Sequence, residues 1–280
     1  MQTSPILPHE AEAPSSISWF AVDLRREAAE RLGFQFAPGG VHLSKTMMLA
    51  ELASVLAAVA MGHDARAAIV DGNVLGKQTG SGRQLALKHL SQLYGLQAPM
   101  PVQAAALRLW PRSAAGRPLL ALLCALAREP LLRQTAGPVL QAPAGSPVGA
   151  PDLAAAVTGA FGTRYSASTL QTLARNCAST WTQSGHLRGL ARKRRAAAEP
   201  SPEAAAYAAL LGGLAGFGGP ALLRSPWMQV LDRPPGDLLV LLRRAEAVGL
   251  GAVRAAGGVV QVNMRQPLAD LLELPALAHG

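Results

Sequence analysis

Apolar residues recur at three- and four-residue spacings along much of the chain, which is the period of a helix with one buried face. Within Ser44–Met61 the apolar positions include Leu52, Val55 and Leu56, and Gly62 then interrupts the pattern. Alanine and leucine, both strong helix formers, recur throughout, whereas aromatic residues make up only 4% of the chain. The pattern therefore predicts a mainly α protein.

Three predicted helices in the first half have the outline of a helix-turn-helix unit. They are Ser44–Met61, a short helix that Asp64 caps and that ends at Val70, and Ser81–Tyr94. Small hydroxyls and cations at the start of the third helix suit phosphate contact through side chains and free backbone N–H groups. The candidate DNA-contacting residues here are Lys77, Thr79, Ser81, Arg83 and Lys88. An ordinary three-helix packing unit with a solvated basic face is the alternative.

A second predicted helix-turn-helix unit lies around a helix over Ser166–Gln183, which Ser166 or Ser168 caps. This helix carries Ser, Thr, Asn and Gln where a surface helix usually carries Glu and Lys, and a basic arm or extended segment follows it over His186–Arg195. Candidate base-edge contacts are Gln171, Thr172, Arg175 and Gln183. Candidate phosphate contacts are Arg175, Arg188, Arg192, Lys193, Arg194 and Arg195. A solvated linker is the alternative for the cationic run.

Trp181 and His186 could stack on bases, but Trp181 fits better as the core anchor of its helix, and His186 is open between the two roles. The two cysteines, Cys124 and Cys177, have no metal-binding or redox spacing and are expected to be small buried residues of a protein in a reducing cytoplasm. The N-terminus has no charged region followed by an apolar run, so no secretory signal is expected.

The last part of the predicted fold is a helix over Gly236–Ala247 followed by a β-hairpin. Gly257 and Gly258 separate two runs of β character, Ala252–Ala255 and Val259–Met264. A helix that leads directly into a hairpin is how a winged helix ends. The expected fold class is thus mainly α, with two helical parts that contain helix-turn-helix-like units, the second ending in a winged-helix hairpin.

The domain organisation follows from composition. Residues 1–16 are rich in Pro, Ser and Glu and predict a disordered tail. An N-terminal helical domain over 17–142 is expected to be followed by a Pro- and Gly-rich linker over 143–151, a C-terminal winged-helix-like domain over 152–270 and a tail over 271–280.

Charge favours a polyanionic partner. The chain carries a formal net charge of +9, and no Asp or Glu occurs from Leu153 to Ala198, where seven of its cations lie. Nucleic acid is the first candidate partner and an anionic membrane surface the second. The uncharged run Ala204–Leu223 is long enough to cross a bilayer, but its glycines and alanines favour a buried helix, so a membrane partner is not expected.

No motif predicts catalysis. The stretch from Gly72 to Lys77 resembles a phosphate-binding P-loop, but it is one residue short and Gln78 replaces the Ser or Thr. The histidines are dispersed, and no carboxylate cluster suggests a nuclease. The expectation is a non-enzyme with no catalytic residue, no metal and no cofactor.

In the order of its parts the chain resembles the BrxA family of bacterial BREX phage-defence systems. The resemblance rests on Asn73–Lys77 followed by the Arg83–Leu96 helix, on Leu170–Gly185 with Ser179–Trp181, and on the C-terminal helix and hairpin through Val262. It implies a small basic helical protein that binds double-stranded DNA, and it suggests a defence role with other subunits of a defence complex as partners.

The predicted function is therefore non-catalytic binding of double-stranded DNA by a cytoplasmic bacterial protein. Two alternatives remain. One is a protein-interaction scaffold within a multi-subunit complex, in which the acidic partner is a protein. The other is an RNA-binding protein.

Overall fold

The fold is mainly helical, as the sequence predicts, and the described part of the chain contains two small antiparallel hairpins. The structure is a computed structural model that describes residues 17–256 and 259–279, so the tail expected over 1–16 lies outside the described residues. Short 3-10 turns occur at Val41–Leu43, Trp110–Arg112 and Gly162–Arg164.

The elements of the first half run from α1 to α8. They are α1 (Arg26–Leu32), α2 (Leu49–Ala60), α3 (Ala65–Val70), α4 (Gly80–Tyr94), α5 (Pro101–Leu109), α6 (Arg117–Arg128), α7 (Pro130–Gln134) and α8 (Ala136–Leu140).

The second half begins with two helices and the first hairpin. Its elements are α9 (Ala150–Phe161), α10 (Ala167–Gln183), β1 (Leu187–Arg188), β2 (Arg194–Arg195), α11 (Pro202–Leu214), α12 (Gly219–Leu223), α13 (Pro226–Gln229), α14 (Pro235–Ala247), β3 (Ala252–Ala256), β4 (Val259–Asn263), α15 (Arg265–Leu271) and α16 (Ala276–His279).

Helix α2 starts later than its apolar pattern predicts. The prediction began at Ser44, but the helix begins at Leu49, and Met48 before it has a left-handed backbone with φ of 54°. The chain around Met48 does not continue the helix because its N–H groups bond to α10: Met47 N–H donates to Thr180 Oγ1 at 2.9 Å, and Leu49 N–H donates to Gln183 Oε1 at 3.1 Å. Contacts with α10 therefore override the local helix pattern.

The central helix of the molecule is α11. It is buried almost all round and is composed mainly of alanine, leucine and glycine. It packs against α5 and α6 of the first half and against α12, α13 and α14 of the second. The buried helix expected within the uncharged run Ala204–Leu223 is thus present, and the connection from it to α12 contains Gly216 and Gly218. Among the helices of residues 17–256 and 259–279, none has the length and apolarity that a bilayer crossing requires.

The expected linker over 143–151 does not separate two cores. One contiguous apolar cluster includes Leu120 and Leu131 from before it and Trp181 and Leu210 from after it. The expected linker also takes part in β-structure, because Pro147 forms an isolated β-bridge with Arg194 of β2.

Hydrogen bonds join the two halves as well. Tyr207 donates to the carbonyl of Val102 at 2.8 Å, and the indole N–H of Trp227 donates to the carbonyl of Trp19 at 2.8 Å. The two expected domains therefore share one interior.

The expected tail over 271–280 needs a correction. Residues 271–279 include the end of α15 and all of α16, and Leu272 and Leu277 are buried. They are packed because α16 docks on α5 and α15, a contact that local composition does not reveal. Gly280 lies outside the described residues.

The predicted C-terminal hairpin is present. Strands β3 and β4 pair antiparallel, with Ala252 opposite Asn263 and Val253 opposite Val262. Gly257 and Gly258, which separate the two strands in the sequence, fall outside the described residues.

Candidate nucleic-acid interface

One face of α10 is a continuous exposed stripe of neutral polar and cationic side chains. Ser166 caps the helix as predicted, because its hydroxyl accepts the N–H of Thr169 at 3.3 Å. Leu173, Cys177 and Trp181 lie on the buried face. At 100° per residue the opposite face is formed by six residues. They are Ser168, Gln171, Thr172, Arg175 and the half-buried Ser179 and Thr182.

Two helices joined by a short turn lead into a hairpin. Helix α9 ends at Phe161, Gly162 turns the chain with φ of 58°, and α10 follows. Beyond α10, strands β1 and β2 pair with Arg188 opposite Arg194. Because Pro147 bridges Arg194, β2 lies between Pro147 and β1. Pro147, which precedes α9, thus pairs with the edge of the hairpin that follows α10.

We call residues 187–195 the basic hairpin. The turn depends on Gly189, whose φ is 105° and where a side chain would collide with the carbonyl of Arg192. Side chains alternate across the strands: Arg188 and Arg194 are exposed, while Leu187 and Arg195 are buried. The hairpin is therefore apolar and paired on its inner side and cationic on its outer side.

The cations of the basic hairpin differ in their contacts. Arg188 and Arg192 are exposed. The Lys193 ammonium donates to Thr182 Oγ1 of α10 at 2.8 Å and to the carbonyl of Gly189 at 3.2 Å, and partial burial lowers the pKa of Lys193. Arg194 donates to the carbonyl of Gly145 at 2.8 Å but stays exposed. These bonds orient the hairpin against α10 while its charges face solvent.

Arg195 was expected to contact phosphate, and this expectation is wrong. Its side chain is buried, and its guanidinium pairs with both carboxylate oxygens of Asp232. The same carboxylate accepts the N–H of Ala198 at 2.9 Å. Strand alternation turns every second residue of the cationic run inward, and Asp232, distant in sequence, balances the buried charge.

Gln183 was expected to reach a base edge, and the structure gives it another role. Its side-chain oxygen accepts the N–H of Leu49 at 3.1 Å, and its amide donates to Ser179 Oγ at 3.3 Å. Gln183 therefore holds the start of α2 against α10.

The two aromatic rings near the end of α10 are interior residues. Trp181 is buried, and its indole N–H donates to Thr135 Oγ1 at 2.8 Å, which confirms the core interpretation. His186 is also buried, between Ser184 Oγ and the carbonyl of Val230, both 2.8 Å away. Desolvation lowers the pKa of His186 to about 4, against opposing effects that include the charge of Asp232. Neither ring can stack on a base.

A buried chain of hydrogen bonds connects α10 to the first half. Thr180 Oγ1 lies 2.9 Å from His42 Nε2, and His42 Nδ1 lies 3.3 Å from Glu129 Oε2. Glu129 also accepts the N–H of Val41 at 2.9 Å. The Asn176 amide adds a bond to the carbonyl of His42 at 3.0 Å. The chain around residues 41–49 is thereby fixed along one flank of α10.

The candidate residues around α4 are only partly free for a ligand. Lys77 Nζ lies 3.5 Å from Glu51 Oε1, and Thr79 caps α4 by accepting the N–H of Gly82 at 3.1 Å. Ser81 and Lys88 are exposed. Arg83 is half-buried, and its Nε atom has no hydrogen-bond partner within the described part of the chain.

Lys45 is a residue that the sequence reasoning missed. It was placed inside a predicted helix, but it is an exposed residue of the extended segment that lies against α10. No local signal marks it, because the partners that position this segment, Thr180 and Gln183, are more than 130 residues away in sequence.

Within residues 17–256 and 259–279, no group of three or more His, Cys, Asp or Glu side chains is arranged to hold a metal ion. Both cysteines are free and buried, as expected, and burial raises the pKa of the Cys124 thiol to about 12. Comparisons of the chain with protein-family models, with curated proteins and with solved structures found no match.

Proposed function

We propose that this protein binds double-stranded DNA, without catalysis, through the exposed stripe of α10 and the basic hairpin. One observation carries the proposal: these two elements form adjoining parts of a surface that presents neutral polar and cationic side chains. Neither element contains a carboxylate, since no Asp or Glu occurs between residues 153 and 198. Such a surface attracts the phosphate backbone.

The order of elements supports the same proposal. In a winged helix, a strand precedes two helices that are joined by a turn, and a hairpin follows the second helix. Pro147, α9, α10 and the basic hairpin follow this order. In helix-turn-helix proteins the second helix enters the major groove and its N-terminal residues contact base edges. Here that helix is α10, and the hairpin occupies the position of the wing.

The side chains of the stripe suit base reading. Arg175 can donate two hydrogen bonds to a guanine, and Gln171 can bond both groups of an adenine edge. Both are exposed near the N-terminal half of α10, as is Thr172. Arg188, Arg192, Lys193 and Arg194 of the hairpin would then hold phosphates, which fixes position without reading sequence.

The first half contributes a second candidate element. Helix α4 carries exposed Ser81 and Lys88 and follows α3 in a helix-turn-helix outline. We infer a supporting role for it, because Lys77 is paired with Glu51 and Thr79 is engaged in capping the helix.

A titration series with ligands of equal length tests the proposal. Duplex DNA, single-stranded DNA and duplex RNA are labelled, and binding is measured by fluorescence anisotropy at several salt concentrations. Duplex DNA is expected to bind most tightly, with an affinity that falls steeply as salt rises, because each neutralised phosphate releases counterions. A flat salt dependence would contradict the proposal, and a preference for duplex RNA would support the RNA-binding alternative.

The wider role rests on the resemblance to the BrxA family. We propose that the protein acts in phage defence in a bacterial cytoplasm, with other subunits of a defence complex as partners. Plaque counts on cells that carry the complete neighbouring gene cluster, with and without this gene, test that role. Unchanged plaque counts would remove the defence role and leave the DNA-binding proposal standing.

A further inference from the structure

The segment 44–48 is clamped between α4 and α10 through the two peptide groups of Met47. The N–H of Met47 donates to Thr180 Oγ1 of α10, and its carbonyl accepts a hydrogen bond from the Tyr94 hydroxyl of α4. Met48, which follows, has the positive φ that L-residues rarely adopt. A backbone held in such a conformation persists only where its surroundings fix it. The position of this segment relative to α10 is therefore rigid.

The segment and the basic hairpin lie on opposite sides of the α10 stripe. Asn176 and Gln183 bond to the segment side, at His42 and Leu49, whereas Thr182 bonds to Lys193 of the hairpin. On a helix that turns 100° per residue, Asn176 and Gln183 fall about 100° and 80° to one side of Arg175, and Thr182 falls about 20° to the other side. The stripe is thus flanked on one side by the hairpin and on the other by residues 42–49.

The second flank also carries positive charge. Lys45 on the segment and Lys88 on α4 are both exposed. They are near neighbours of His89, whose pKa is lowered first by desolvation and then by the charges of these two lysines. The Tyr94 bond to Met47 fixes α4 beside the segment, so the two lysines belong to one patch.

We propose that Lys45 and Lys88 bind phosphates of the DNA strand across the major groove from the basic hairpin. The proposal rests on the proposed function and adds a second phosphate-binding flank to it. An α-helix with its side chains is about 10–12 Å across, and the major groove is about 12 Å wide. A helix seated in that groove has one phosphate ridge on each flank. The two cationic flanks of α10 match this arrangement, which only a duplex presents.

The test compares two double variants that remove the same amount of charge. Lys45→Gln with Lys88→Gln removes the proposed flank. Arg108→Gln with Arg112→Gln is the matched control, since both arginines are exposed and lie on α5 and the turn after it, which pack against α4, α6 and α11 rather than forming the stripe. Thermal unfolding establishes that both variants fold. Anisotropy titrations over a range of salt are then run on duplex and single-stranded DNA of one sequence.

For the flank variant on duplex DNA, the slope of log affinity against log salt is expected to flatten by about two, because each phosphate contact contributes about one. On single-stranded DNA at low salt, where the hairpin cations can follow one backbone, its slope is expected to equal that of the wild type. The control variant is expected to keep the wild-type slope on both ligands.

Two results would overturn the inference. An unchanged slope on duplex DNA would show that Lys45 and Lys88 touch no phosphate. An equal loss on both ligands would show that they do not face the second strand. Failure of the proposed function is a different outcome, because the wild-type protein itself would then show no steep salt dependence on duplex DNA.

Discussion

The described part of the molecule contains two regions in which a helix leads into a β-hairpin, and the two regions differ in the charge and polarity of their exposed side chains. Helix α10 exposes Gln171, Thr172 and Arg175, and the hairpin after it exposes three arginines and the apolar Leu190. Helix α14 exposes Asp237 and Glu246 among its arginines, together with the apolar Val240. The order of elements therefore does not by itself define an interface.

The side chain that forms the hydrogen bond between each hairpin and its helix also differs in charge. In the first region the ammonium of Lys193 bonds to Thr182, so a cation lies at the junction. In the second region the carboxylate of Glu246 accepts the N–H of Val253 at 2.9 Å, so an anion lies there. A carboxylate at this position would repel a phosphate backbone.

The largest expected effect comes from the buried ion pair between Arg195 of the basic hairpin and Asp232 of the loop before α14. Arg195→Ala leaves the Asp232 carboxylate without its ion-pair partner in a site where it is only 10% exposed. Breaking a buried pair in this way costs about 3–5 kcal/mol. Urea unfolding checks this loss in the free energy of unfolding.

Arg194→Ala is the matched control for that variant. The guanidinium of Arg194 is exposed and, within the described part of the chain, donates to the Gly145 carbonyl. The control is expected to unfold at nearly the wild-type urea concentration. Equal unfolding midpoints for the two variants would mean that the Arg195–Asp232 ion pair does not contribute to the free energy of unfolding.

The second largest effect is expected on the affinity for duplex DNA, when charges are reversed in the α10 region or on α14. Arg175→Glu with Arg192→Glu changes the α10 region, and Arg243→Glu with Arg244→Glu makes the same change in charge on α14, where both arginines are exposed. Duplex binding at moderate salt is expected to fall about a hundred-fold or more in the first variant and less than about threefold in the second. Comparable losses would mean that binding follows net charge, and the contrast between the regions would fail.

The smallest effect concerns pH. The folded pKa of His186 is about 4 against an ordinary 6.5, so the unfolded chain binds this proton more readily. The stabilising contribution of the neutral ring is therefore complete above pH 6.5 and is lost as the pH falls towards 4, by about 2 kcal/mol between pH 7 and pH 5.

His186→Gln removes that titration. The difference in unfolding free energy between the wild type and this variant is expected to narrow as the pH falls from 7 to 5. Urea unfolding at both pH values measures it. A difference that stays constant with pH would show that protonation of His186 does not cause the loss of stability at low pH.

Local chemistry allowed much of the fold to be predicted. The Asp64 and Ser166 caps, the helix predicted over Gly236–Ala247 and the C-terminal hairpin depend on residues within a few positions of each other. The structure confirms each, with the helix beginning one residue earlier, at Pro235. The buried α11 also follows from composition, because an uncharged run interrupted by glycines is poorly suited to a membrane.

The rest depends on partners far apart in sequence. A run of four cations gives no sign that its last member faces Asp232, and Gln183 gives no sign that it bonds to Leu49. The basic hairpin itself was expected as an arm, because its strands are only two residues long and cations do not favour a strand. These contacts form only when the halves of the chain meet.

The enclosure of α11 has a consequence for cooperativity. Its alanines and glycines admit neighbouring helices so closely that a β-carbon on Gly212 would lie 2.6 Å from Leu222. Helices from both halves surround it, so cutting the chain near residue 147 would leave α5 and α6 on one fragment and would expose, on the other, the part of α11 that they cover. Neither fragment would keep a complete interior, so the two halves are expected to lose their structure together. Proteolysis within residues 143–151 would therefore abolish the fold, rather than release a separate DNA-binding domain.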